Sequence, residues 1–162
     1  MFDPTTFTGF HTWLSIIGLV SGIVVLLDLI AGRSRPVWTA LFLVTAIATS
    51  VTGYFFPFSG ILPSHVVGAI SLVFLALAVV SLAVFRLGGP WRLAYVISAG
   101  IGCYLIAFVA VAQAFLKVDA LHRLAPTGGE PAFLIAQLVV LVVFIVAIWA
   151  AARGFRGTLR PA

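Results

Sequence analysis

Long apolar stretches alternate with short polar breaks along the whole chain, and each stretch is long enough to cross a membrane as a helix. Such a crossing takes about 20 consecutive apolar residues. Five stretches reach this length, at about residues 10–31, 37–56, 65–85, 91–116 and 132–152. The breaks between them carry the proline and glycine pairs that end helices. The pattern predicts an all-α protein with a single domain, an integral membrane bundle of five transmembrane helices.

The first apolar stretch also carries a stripe of small and polar residues. His11, Ser15, Gly18 and Gly22 recur at helical spacing and therefore share one face. Two glycines four residues apart let a second helix approach closely. Because imidazole avoids lipid, we expect His11 to point into the protein along this face.

Composition indicates that lipid is the main solvent of the chain. Hydrophobic residues make up 63% and charged residues 8%, against about a quarter charged in soluble domains. The net charge of +5 does not indicate a nucleic-acid partner, because the basic residues lie between apolar stretches. A single cysteine, Cys103, excludes an internal disulfide and a multi-cysteine metal site. No HExxH, CxxC, GxSxG or P-loop motif is present, so the sequence identifies no catalytic residues and leaves open whether the protein is an enzyme.

The basic residues predict the orientation of the bundle. Seven arginines fall in the breaks on one side of the predicted membrane, whereas Lys117 and Arg123 fall on the other. By the positive-inside rule, the N-terminus is outside and the C-terminus is cytoplasmic. Arginine outnumbers lysine, and alanine, glycine and valine are abundant, as in proteins of GC-rich bacteria. We therefore expect a multi-pass protein of the bacterial inner membrane.

This topology places several polar side chains in the outer half of the bundle. Histidine and glutamine on small-residue faces are expected to point between helices, where they avoid lipid. We call this set the histidine site; its members are His11, Tyr54, His65, Gln113 and Gln137.

Imidazole is a common ligand of zinc, copper and iron, and this is the basis of the first functional hypothesis. His11 and His65 start parallel spans at similar depth, so they are expected to share a metal ion or a haem. His122 is a further candidate ligand, and so is Asp119, which lies one helical turn before it.

Two alternatives need no metal. The histidine site could bind a quinone or a lipid-like molecule through hydrogen bonds. Alternatively, the polar residues only join helices, and the protein is a non-catalytic accessory subunit whose small-residue faces pack in a homo-oligomer or against a partner membrane subunit.

Asp28 is the one acidic residue inside a predicted span, close to Arg33 and Arg35. A carboxylate at this depth is most simply explained by an ion pair with one of these arginines. The rest of the inner half reads as apolar, with no polar path across it, which argues against a proton pump or ion channel.

Overall fold

The computed structural model describes residues 3–56 and 63–156, and within these ranges it contains helices and turns but no strand. Five of the helices in this described part are long and apolar enough to span a membrane, which confirms the five predicted stretches. The elements are α1 (Phe7–Ile30), α2 (Pro36–Thr52) with a 3₁₀ turn at Gly53–Phe55, α3 (Pro63–Ala83), α4 (Trp91–Lys117), a short α5 (Asp119–His122) and α6 (Pro131–Gly154).

Local signals explain where the helices begin. The Thr6 hydroxyl accepts a hydrogen bond from the Gly9 amide, so α1 begins three residues before the predicted stretch. Pro36 and Pro131 occupy the first positions of α2 and α6, where a helix needs no amide donor.

Four of the long helices form a ring, and the fifth lies outside it. Contacts join α1 to α2, α2 to α3, α3 to α4 and α4 back to α1, while α6 lies over the seam between α1 and α4. Of the four contacts in the ring, the one between α2 and α3 is the least extensive.

The glycine face of α1 lies at the centre of the bundle, as predicted. A Cβ atom on Gly22 would lie 2.6 Å from the Cys103 sulfur of α4 and 2.8 Å from the Phe42 ring of α2. Both neighbours are fully buried. On Gly18 the nearest side-chain atom would be the Thr45 hydroxyl, at 3.4 Å. The absence of a side chain at Gly22 is thus what lets three helices meet.

One end of the bundle is joined by contacts between the end of α1, the start of α4 and the end of α6. The Arg92 guanidinium donates to the backbone carbonyls of Ala152 and Phe155, and Gly154 lies directly against the carbonyl of Ile30. We call this the arginine end, because it carries six described arginines; the seventh, at position 160, lies outside the described residues. The other end carries the histidines and is called the histidine end.

Candidate functional site

His11 joins α1 to the end of α2. Its Nδ1 lies 2.8 Å from the Thr52 hydroxyl, and the edge of its ring packs on Phe56 at a centroid distance of 5.0 Å. The side chain is half-buried and turned toward the protein, as expected from the glycine stripe. One imidazole nitrogen is therefore already engaged in holding two helices together.

His65 contacts the same segment through Tyr54. The two rings stack with centroids 5.4 Å apart, and the Tyr54 hydroxyl donates to the His65 carbonyl at 2.7 Å. Gly68, one turn later on α3, leaves the space that the Tyr54 ring occupies, since a Cβ there would lie 3.4 Å from the ring. The 3₁₀ turn after α2 thus ties the start of α3 to the bundle.

The two glutamines have different surroundings. Gln137 is buried, and its Nε2 donates to the Phe108 carbonyl of α4 at 3.1 Å. Gln113, in contrast, is exposed, so the prediction that it points between helices is wrong. At this level of α4 the buried side chain is Phe115, which packs on Phe133 of α6. Side chains two positions apart along a helix point in directions about 200° apart. Burial of Phe115 therefore turns Gln113 outward.

The proposed set of three or four metal ligands is not assembled. Within residues 3–56 and 63–156, no three His, Cys, Asp or Glu side chains lie close enough to hold a metal ion. Asp119 and His122 are exposed on α5, which packs mainly against α4. A haem between His11 and His65 alone is not tested by this geometry and stays a prediction.

The loop that precedes α6 is ordered by Glu130. Its carboxylate accepts from both the amide and the hydroxyl of Thr127, at 3.0 and 2.9 Å. Burial tends to raise the pKa of Glu130, but the hydrogen bonds from Thr127 outweigh it and hold the pKa below the ordinary glutamate value. These contacts account for the loop without any ligand.

At the arginine end, Asp28 pairs with two arginines, which confirms the ion pair expected from the sequence. One carboxylate oxygen lies 2.6 Å from Arg35 Nε and the other 3.4 Å from Arg33 Nη2. Asp28 is only 2% exposed, whereas both guanidiniums reach water at the end of the bundle. Arg35 also lies over the Trp38 ring at 5.7 Å.

Just inside this end, two buried hydroxyl groups meet between α2 and α4. Thr39 is 3% exposed and Tyr95 is 0% exposed, and their hydroxyls lie near each other. Neither hydroxyl makes a hydrogen bond of regular geometry within the described part of the chain, either to the other or to a third group. The expectation of an otherwise apolar inner half is therefore wrong. The two hydroxyls lie on different helices, and only the packing of α2 near α4 brings them together.

An apolar groove of about 350 Å³ opens between α2 and α3, beside these hydroxyls. It begins at the first residue of α2, at the arginine end. Almost all of its surface is carbon. Its walls are Pro36, Thr39, Ala40, Leu43, Val44 and Ile47 of α2 and Val79 and Leu82 of α3.

Sequence reasoning did not identify this groove or its hydroxyls. Apolar residues occur on every face of α2 and α3, so hydropathy does not distinguish a groove from an ordinary lipid-facing surface. The one available signal was Thr39, a hydroxyl one turn from an arginine.

Comparisons with protein-family models, with curated proteins and with solved structures found no match to this chain.

Proposed function

We propose that the protein binds an anionic phospholipid, with one acyl chain in the groove between α2 and α3 and the phosphate at the arginine end. The observation that carries this proposal is the groove itself, which is open, apolar and begins beside Arg35. The proposal belongs to the lipid-like alternative considered for the sequence, at a different place in the bundle.

The shape of the groove suits a lipid chain. Its α2 wall extends from Pro36 to Ile47, about 16 Å at a helical rise of 1.5 Å per residue. One leaflet of the hydrocarbon core is about 15 Å thick. A single chain entering from the headgroup region therefore has the length to fill it.

Charge at the mouth of the groove selects the headgroup. Arg35 directly precedes the α2 wall, and Arg86 follows Leu82 of the α3 wall by four residues. Arg35 gives one N–H to Asp28, and a guanidinium has five, so donors remain for a phosphate. An anionic headgroup also offsets the excess of arginine over acid at this end.

The orientation agrees with this assignment. With seven basic residues on one side and two on the other, the positive-inside rule puts the arginine end in the cytoplasm. The cytoplasmic leaflet is the one rich in anionic lipid. We propose that the N-terminus is outside and that the protein resides in a bacterial inner membrane.

Lipid retention by the detergent-purified protein tests the proposal. Native mass spectrometry would compare phosphatidylglycerol with phosphatidylcholine of the same chains. Because an acyl chain gains little by leaving other lipid for the groove, the headgroup should dominate. At about 1 kcal/mol per arginine, we expect a 5- to 30-fold preference for phosphatidylglycerol.

Two alanine variants provide the control. Ala40 lies in the groove wall, whereas Ala76 is exposed on α3 outside it. Ala40→Phe should fill the groove and remove the preference, and Ala76→Phe should leave it unchanged. Equal retention of both lipids, as expected of a subunit that only packs against partner helices, would refute the proposal. A Soret band in the same sample would instead support haem at His11 and His65.

A further inference from the structure

We infer that Thr39 donates a hydrogen bond to an ester carbonyl of the bound lipid. This inference rests on the proposed function and adds the chemical group that the protein recognises. It starts from the unusual state of the Thr39 hydroxyl, which is buried in the groove wall without a regular hydrogen bond to any described residue.

Most hydroxyls inside these helices bond to the carbonyl four residues earlier. Thr45, Ser50 and Ser81 do so at 2.6, 3.0 and 2.7 Å, which is the usual solution in a membrane helix. Thr39 does not, and neither does Thr49, but Thr49 lies outside the groove walls. Of these two hydroxyls, only that of Thr39 both lacks a hydrogen-bond partner and belongs to the groove wall.

The Thr39 hydroxyl keeps a spare donor even beside Tyr95, because the two hydroxyls do not form a regular hydrogen bond. Each hydroxyl carries one hydrogen and accepts others. The hydrogen of Thr39 is therefore left for an acceptor outside the described part of the chain. The Thr39 oxygen is buried, and a buried polar group without a partner is costly, so an acceptor oxygen on the groove ligand completes the arrangement.

The depth of Thr39 matches an ester linkage. It lies one turn inside the start of α2, about 4.5 Å along the helix from Pro36. In a phospholipid the ester carbonyls come just below the phosphate, at the boundary with the acyl chains. A phosphate at Arg35 therefore places an ester at the level of Thr39. Threonine uses two χ1 rotamers in helices, so a rotation turns the hydroxyl from Tyr95 toward the groove.

The test compares two lipids that differ only in their ester carbonyls: ester-linked phosphatidylglycerol and its ether-linked analogue. Net hydrogen-bond contributions of about 0.5–1.5 kcal/mol predict 2- to 12-fold tighter binding of the ester lipid. Thr39→Val should remove this difference without weakening ether-lipid binding, and Thr39→Ser should retain it. Thr39→Ala provides a second hydroxyl-free variant should Thr39→Val fail to fold. Thr45→Val is the control, because that hydroxyl is satisfied within its own helix.

The outcomes separate the two proposals. Equal binding of ester and ether lipids, with the preference for phosphatidylglycerol retained, would overturn only the role of Thr39. Loss of any headgroup preference in the wild-type protein would overturn both. Tighter binding of a short-chain ubiquinone analogue than of either lipid, abolished by Thr39→Val, would replace the ester with a quinone carbonyl and also overturn the inference.

Discussion

Replacing Gly22 by alanine tests how tightly the centre of the bundle is packed. The added Cβ would lie 2.6 Å from the Cys103 sulfur and 2.8 Å from the nearest atom of Phe42. Carbon atoms in good contact are separated by about 3.5–4.0 Å. The methyl group therefore overlaps two side chains on two helices by roughly 1 Å each, measured against that contact distance. Both neighbours are buried, so neither can move into open space.

Gly18 is the matched control on the same face. Its added Cβ would meet its nearest atoms at 3.4 and 3.5 Å, close to ordinary contact. Alanine is better than glycine in a helix by about 0.5–1 kcal/mol, so Gly18→Ala should be neutral or slightly stabilising. At Gly22 an overpacking cost of about 1–3 kcal/mol opposes the same gain. We expect Gly22→Ala to be less stable than Gly18→Ala by about 1–3 kcal/mol.

Unfolding of both variants in mixed detergent micelles measures this difference. Cys103→Ala, combined with Gly22→Ala, should recover part of the loss because it removes the nearest of the clashing atoms. The larger replacements Gly18→Leu and Gly22→Leu should both damage the protein far more than Val24→Leu, since a leucine side chain would force the helices apart. Equal stability of Gly22→Ala and Gly18→Ala would show that α1 does not approach its neighbours through Gly22.

Three further predictions concern the ends of the bundle. Arg35→Ala should lower the free energy of unfolding by about 2 kcal/mol, because it leaves the buried Asp28 with one long contact. Arg33→Ala should lower it by less than 1 kcal/mol. Similar losses for the two variants in detergent unfolding would contradict this. A cysteine at position 127, in a variant lacking the native cysteine, should be labelled from outside the cell, and labelling only from the cytoplasm would reverse the topology. Folding lowers the pKa of Glu130. The contribution of its carboxylate to loop stability is therefore present above the ordinary glutamate pKa and is lost as the pH falls through the lowered pKa of the folded protein. Thr127→Ala should raise the pKa of Glu130 in an NMR titration.

The sequence by itself determined the number, type and approximate ends of the spanning helices. In lipid every backbone polar group must be satisfied within the segment, so an apolar stretch of about 20 residues has little choice but to form a helix. The ends follow from adjacent residues, as at Thr6 and Pro36. Asp28 and its arginines were also predictable, because the partners lie within seven residues across one helix end.

Only the tertiary structure decided which faces meet and where a ligand has room. Lipid-facing and core-facing residues are equally apolar here, so hydropathy does not specify the rotation of a helix. The glycine face of α1 was the exception, because the close approach of neighbouring helices depends on glycine. The predicted direction of Gln113 was wrong, because the burial of Phe115 determined which face of this turn of α4 points inward. Thr39 and Tyr95 belong to helices whose contact depends on the whole bundle, and the groove lies between α2 and α3, so it is a property of neither helix alone.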